Sequence, residues 1–465
     1  MTSVQNPQLP LSGNRFSILG LLVFLGVFLF SSCGTAERTS SRSGNRKVPV
    51  ERKTYPTKKS DRTTSKVDTI AWNEKKNGNT SPITDKEGGA TSLIKEDVYD
   101  ITYLLPLKAL SYASGTVGDS EKFINYFAGM EMAKEVLERE RISLNIEVVD
   151  SEKRKLSSVL NSSINSQTDA IIGLYETSDL QEAAQYAKEK QVPLISPWKA
   201  SSKVTSENPY YVQLRPNLDE YYKAMIKDIA ENYKPEQVYV LGRNDNRDKK
   251  MVKYIQRLGQ AYFKTDENTP FTEYEVVEDS LIYGSTAFDS IFSADQTNVV
   301  VIPNFSFGDE NYIYSTARRL TVEKGLAKMV VYGMEIMLDS DKLTFDHYNA
   351  LNMKIARTKF VDEADGDVQR FKRRFYEVYG ALPTDDAYEG YDNLMFVARN
   401  LKKYGKNFQH YLDNDRGHYL QAAYDVQRTF PKGSQSDDYS NINYFENKHV
   451  DIITFDGRRF HRSEK

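Results

Sequence analysis

Residues 170–197 read AIIGLYETSDLQEAAQYAKEKQVPLISP, and the fold turns on how they are read. Two short runs, 170–175 and 192–197, are apolar without alternation and end at turn residues, and a segment of helical period lies between them. A strand with one wet face alternates, whereas a strand covered on both faces stays apolar throughout. The pattern therefore predicts parallel strands with helices on both sides of the sheet. It repeats outward in both directions. Further continuous runs stand at 101–107 (ITYLLPL), 144–149 (LNIEVV), 238–242 (VYVLG), 299–303 (VVVIP) and 329–333 (MVVYG), with helix-period segments such as FINYFAGMEMAKEVLERER and ENYIYSTARRLTVEKG between them. The fold class is α/β, doubly wound.

The runs fall into two sets, separated by SKVTSENPYYVQLRPNLDEYY at 202–222, a stretch expected to cross between two lobes. Later, MKIARTKFVDE (353–363) is strand-like, helices are expected over 366–379 and about 385–403, and HVDIITFDGRRF (449–460) carries a strand–Asp-Gly–strand signal. The chain is expected to cross between lobes more than once. Lobe one is expected over about 97–213 plus 366–410, and lobe two over about 217–355 plus the C-terminal strands.

Composition sets the outer bounds. At 465 residues the chain has room for two or three domains with full cores. One cysteine excludes a disulfide framework and Cys-rich zinc sites, and a net charge of −3 gives no footprint for a general nucleic-acid binder. The charge is unevenly spread. Residues 34–96 carry 14 Lys and Arg against 8 Asp and Glu, a net of +6, which leaves −10 on 97–465. The 34–96 segment has no apolar period and is expected to be a disordered basic linker.

Ahead of it, residues 16–30 (FSILGLLVFLGVFLF) form a 15-residue apolar run after Arg15. About 20 residues are needed to span a bilayer, so the run reads as a signal-peptide core over 1–32. The sole cysteine follows it in Phe30-Ser31-Ser32-Cys33, which resembles a bacterial lipobox with Phe30 where Leu is usual. The resemblance implies a lipidated Cys33, with attachment to a membrane at its periplasmic face. The alternative is a membrane anchor with an unrelated cysteine.

The folded body resembles type I periplasmic binding proteins of the branched-chain amino-acid class. The matching pieces, in order, are Phe127-Ala128-Gly129-Met130-Glu131-Met132-Ala133, Ile171-Ile172-Gly173, Val192-Pro193-Leu194-Ile195-Ser196-Pro197, Leu214-Arg215-Pro216 and Ala387-Tyr388-Glu389-Gly390-Tyr391-Asp392. The resemblance covers 97–465 and implies two lobes joined by a multi-crossing hinge that close over a small, amino-acid-like ligand. It implies a partner as well, an ABC permease or, in relatives that regulate the envelope, a cell-wall enzyme.

The resemblance also points to site residues. Thr177 and Ser178, at the start of a helix, stand where the family binds a ligand carboxylate, although Ser178-Asp179-Leu180-Gln181 also reads as a capping box. In the next loop Ala200 replaces the family's threonine, Ser201 offers a substitute hydroxyl, and Trp198 either lines the cleft or covers the hinge. In lobe two, Asn304 ends a strand with a polar group expected to face the cleft. Glu335, in Gly333-Met334-Glu335, stands where the family pairs a ligand ammonium, or else is a solvated strand-end acid.

Enzyme signatures are missing. The five histidines (His347, His410, His418, His449 and His461) form no HExxH, and there is no G-x-S-x-G, P-loop or G-x-G-x-x-G. Neither Asp362–Asp367 nor Asp413-Asn414-Asp415 completes a calcium loop, so no metal, cofactor or catalytic residue is expected. Two functions stay open: a lipid-anchored solute-binding protein, or an envelope interaction protein acting on cell-wall machinery. On the lipidation reading, Cys33→Ser is expected to release the protein from the membrane fraction, and retention at the wild-type level would overturn it.

Overall fold

The computed structural model describes residues 96–463 apart from 109–119, 153–154, 284–285, 289–291 and 432–440. The expected signal peptide, Cys33 and nearly all of the expected basic linker lie outside the described residues. Lobe one opens with β1 (Val98–Leu105), α1 (Glu121–Arg139), β2 (Ser143–Asp150), α2 (Leu156–Ser163), β3 (Thr168–Gly173), α3 (Thr177–Lys190), β4 (Leu194–Ser196) and β5 (Tyr211–Gln213). Its inner strands such as β1 and β3 lack alternation because both faces are covered, whereas the edge strand β2 alternates between exposed and half-buried residues. Tyr99, Ile101, Tyr103 and Leu105 of β1 face one core with α1, while Leu104 faces another with α2 and α3. The same split recurs at Ile172 and Ile171, Ile195 and Leu194, and Val212 and Tyr211.

Lobe two contains α4 (Leu218–Asn232), β6 (Val238–Gly242), α5 (Asn246–Phe263), β7 (Thr272–Glu275), β8 (Asn298–Val301), α6 (Glu310–Glu323), β9 (Met329–Met334) and β10 (Lys354–Arg357) around a separate core; shorter helices are left unlabelled. The chain then returns through α7 (Gly366–Tyr379) and α8 (Asp385–Tyr404) to lobe one, adds β11 (Arg416–His418), β12 (Ala423–Thr429) and β13 (Tyr444–Asn447), and ends in lobe two with β14 (Asp451–Phe455) and β15 (Phe460–Arg462). The sheet orders are β11-β12-β13-β5-β4-β3-β1-β2 and β15-β14-β10-β9-β8-β6-β7. The chain therefore crosses three times, after β5, β10 and β13.

The two-lobed α/β architecture is the one expected, but its sheets are mixed rather than purely parallel. β12 runs antiparallel to β11 and β13, and β14 runs antiparallel to β10 and β15. β13 joins lobe one through parallel pairing with β5.

Return to lobe one rests on α8 lying against α1. A Cβ on Gly129 would sit 1.7 Å from the Ala387 carbonyl oxygen, and one on Gly390 would sit 1.9 Å from that of Tyr126. One residue pair along, the buried Asp392 carboxylate accepts N–H bonds from Leu420, Gln421 and Ala422, each at 2.9 Å. That turn in turn receives the Phe360 N–H on Gln421 O at 2.8 Å, tying it to the second crossing. Gly390→Ala is expected to destabilise the protein by about 1–3 kcal/mol or more, because the obstacle is backbone that cannot rotate away. Denaturant unfolding measures it, and an unchanged midpoint would contradict the close contact.

Candidate functional site

The carboxyl ends of β1, β2 and β3 open onto a cavity of about 580 Å³. Such ends are where ligands bind in open α/β sheets. The last turn of β3 is fixed by Gly173 at φ +130°, where a Cβ would lie 2.2 Å from the Leu104 carbonyl oxygen. Leu174 N–H donates to that same oxygen at 2.9 Å, so the following Tyr175 is carried onto the cavity wall. Tyr175 meets Phe123 of α1 edge-on at 5.7 Å between ring centres. The Lys122 ammonium lies 3.8 Å, and that of Lys199 4.6 Å, from the centre of the Tyr175 ring.

Trp198 lies behind this wall. Its indole packs edge-on against Phe123 at 5.3 Å and Tyr126 at 5.1 Å and is only 7% exposed. It is therefore part of the lobe-one core that supports the cavity rather than a group at its mouth. The lining is acidic: Glu121, Glu152, Glu176, Asp179 and Asp386 stand against Lys108 and Lys122. Burial, reinforced by Glu389, pushes the Asp386 carboxyl above its ordinary range.

The α3 terminus differs from its sequence reading. Thr177 is its first residue and half-buried, and Ser178 is exposed with its hydroxyl 3.4 Å from Asp179 Oδ1. Glu176 holds the N-cap position, and Gln181 donates to Lys203 O at 3.0 Å instead of reaching back, so no capping box forms. Ala200 is exposed. Ser201 donates its N–H to Gln213 Oε1 at 3.0 Å while its hydroxyl accepts from Lys203 N–H at 3.2 Å.

Both expected lobe-two groups already have partners within the chain. Glu335 accepts from Arg215 at 3.0 Å and from the Tyr221 hydroxyl at 3.2 Å, and Tyr221 also contacts Thr358 at 3.3 Å. Burial, then the Glu335 charge, pushes the Tyr221 hydroxyl up to about 12. Glu335 is thus neither a lone solvated acid nor an open carboxylate: it closes on the first crossing. Asn304 does not face a cleft. It is fully buried, because Ile302 and Pro303 continue the buried course of β8, and its amide donates to Asp248 Oδ1 at 3.2 Å.

The sequence reading missed what Asn304 belongs to. Arg243, just past β6, donates to Asp248 Oδ2 at 2.9 Å and to Asp309 Oδ1 at 2.7 Å, and Arg247 also bonds Asp309. Burial pushes the Asp248 carboxyl up, but the Arg243 donors outweigh it and hold the group below its ordinary value. Asp248 does stand three residues after Asp245, whose side chain caps α5, but that local signal says nothing of its arginine. Among the described residues no cluster of His, Cys, Asp or Glu could hold a metal ion, and no helix is long and apolar enough to cross a membrane.

Residues 129–436, about two-thirds of the chain, match the family described as the receptor family ligand binding region. Among solved structures, a putative branched-chain amino acid ABC transporter protein from Rhodospirillum rubrum aligns at a TM-score of 0.55 with 13% identity, over 79% of this chain and 100% of that one. The C-domain of LpoA from Haemophilus influenzae, a regulator of PBP1A, aligns at 0.51 with 11% identity, over 78% of this chain and 100% of its own. A branched-chain amino acid ABC transporter periplasmic ligand-binding protein from Burkholderia xenovorans LB400 aligns at 0.50 with 14% identity, over 79% and 94%. No curated protein matches the chain.

Arg243→Met is expected to leave the buried Asp248 without its principal cation, while Asp309 keeps Arg247, costing about 3–5 kcal/mol. Because the folded Asp248 value is depressed, the wild-type advantage should be complete above the unfolded carboxyl value of about 3.9 and fade as pH falls through the lower folded value. Equal stability of the two proteins at neutral pH would contradict this.

Proposed function

The chain belongs to the receptor family ligand binding region, a type I periplasmic-binding-like family, and we propose that it is a lipid-anchored solute-binding protein of the bacterial cell envelope. It captures a small, amino-acid-like solute between its lobes and presents the closed form to an ABC-type permease or a sensor. It has no catalytic residue; its work is binding and closure. The observation that carries this reading is the cavity at the carboxyl ends of β1–β3, which is large enough for an amino acid or a short peptide and is walled by Phe123 and Tyr175. Thr177, Ser178, Ala200 and Ser201 are not part of that cavity's lining and would have to meet the ligand as the lobes close, with Trp198 behind the wall. On this reading Glu335 exchanges Arg215 for the ligand ammonium on closure, while Asn304 acts only by holding Asp248.

A second reading has its own support. In an interaction protein of the envelope, acting on cell-wall machinery as LpoA acts on PBP1A, Glu335 would simply stay with Arg215, and the hydroxyl missing at Ala200 would not be needed.

Calorimetry with the standard amino acids, short peptides and cell-wall fragments separates the two. Solute binding requires at least one saturable ligand, which should also perturb the emission of Trp198 behind the cavity wall. If that ligand is a zwitterionic amino acid, Glu335→Gln is expected to weaken it at least about tenfold, since losing one partner of a buried charged pair costs about 2–5 kcal/mol. Silence across the whole panel would sink the solute-binding reading in favour of the interaction protein.

A further inference from the structure

A second groove, of about 760 Å³, lies outside lobe two between α5 and β7. Its helical wall is basic. Lys249, Lys253 and Arg257 follow one another at four-residue intervals, so they share one face of α5, and all three are exposed. Lys249 donates to Asn244, and Arg257 lies 5.4 Å from the centre of the Tyr254 ring. None of the three is within 4 Å of a carboxylate among the described residues, although 97–465 carries ten more acidic than basic residues. The one acid of α5, Asp248, is buried on Arg243 and does nothing to neutralise that face.

The other wall is an open sheet edge. Among the described residues β7 ends the lobe-two sheet, paired with β6 alone. Val276 N–H donates to Gly242 O at 2.9 Å, so strand alternation turns the backbone groups of Glu273 and Glu275 outward, away from β6. Phe271 is in phase with them, and there the missing neighbour is imitated. Phe271 N–H donates to Gln256 Oε1 at 3.1 Å, and Gln256 Nε2 donates to Phe271 O at 2.9 Å and to Glu273 Oε1 at 3.1 Å. A side-chain amide from α5 thus fills one station of an absent strand, and among the described residues the next two stations stay open beside three cations that have no carboxylate within 4 Å.

We propose that this groove docks an extended acidic segment of a partner protein, which adds to the sheet at Glu273 and Glu275 and lays its carboxylates along Lys249, Lys253 and Arg257. A polypeptide uses both walls: its backbone satisfies the edge, and long acidic side chains on the α5 side reach past the Glu273 and Glu275 carboxylates, which also line the groove, to the three cations of α5. A polyphosphate or an anionic membrane would use the charges alone. The site is separate from the lobe-one cavity, so it stands whether or not the protein binds a solute.

The test is fluorescence anisotropy with the full-length protein and a panel of labelled short peptides that alternate Glu with Val, Thr or Tyr. At least one is expected to bind saturably and more weakly at high salt. K253E/R257E is expected to weaken it at least about tenfold, with K253Q/R257Q falling between, as charge pairing at an interface requires. Methylating alternate backbone nitrogens of the peptide, which leaves its charge intact, is expected to abolish binding. Matching melting curves for wild type and variants establish that the fold is retained. The proposal is overturned if no peptide binds, if either double variant that melts normally keeps wild-type affinity, or if the methylated peptide binds as well as its parent. It is equally overturned if polyphosphate or anionic vesicles compete through the same residues as tightly as the peptide.

Discussion

The contact between α1 and α8, with Gly129 against the Ala387 carbonyl and Gly390 against that of Tyr126, is what makes one body out of a chain that leaves its first lobe halfway through. Helix α8 comes back from lobe two, and it seats on lobe one only because neither glycine carries a Cβ. Once seated, it brings Asp392 under the 420–422 turn, and that turn pairs with Phe360 on the second crossing. The third crossing is held near the first: Lys448 bonds Glu220 at 3.0 Å and Glu446 at 2.8 Å, and the Asn217 N–H donates to Glu446 at 2.9 Å. The crossings therefore form a set fixed by polar bonds between segments far apart in sequence.

That arrangement has an electrostatic consequence for binding. Arg215, at the first crossing, reaches Glu335 at the end of β9, so the carboxylate proposed for a ligand ammonium already has a partner within the chain. The Arg215 side chain is 42% exposed, whereas Arg243 is 15% exposed and sits on a fully buried Asp248, so water screens the first pair and not the second. On the solute-binding reading, lobe two would offer the Glu335 carboxylate, and lobe one the aromatic wall with its acidic rim. A solute bound there would compete with the chain's own cations, Arg215 on Glu335 and Lys122 and Lys199 on Tyr175.

Much of the fold was legible in the sequence because burial on both faces of a sheet leaves an uninterrupted apolar run, as in 170–175 and 192–197. β11 and the second half of β12 escaped for the same reason in reverse. Arg416-Gly417-His418 and the polar half of β12 lie where the sheet is less covered, and such strands carry no apolar run. The site was less legible. Position along the chain brought Glu335 and Asn304 to the ends of their strands, but their partners, Arg215 and Asp248, lie 120 and 56 residues away, and no local pattern encodes such pairings. Trp198 was found as the one indole near the site, yet its burial depends on Phe123 and Tyr126 from α1. Lys122 and Tyr175 had no signal of their own, since a lysine over a tyrosine ring is a product of the fold.

Closure of the two lobes over a small solute is the central claim, and an interlobe distance tests it most directly. Spin labels at the exposed positions 182 in α3 and 341 in lobe two, placed in a Cys33→Ser background, report that distance by double electron–electron resonance. Closure requires the distribution to shift to shorter distances when a mixture of the standard amino acids, short peptides and cell-wall fragments is added, and to return when the mixture is dialysed away. A distribution that stays the same with and without the mixture would contradict the claim.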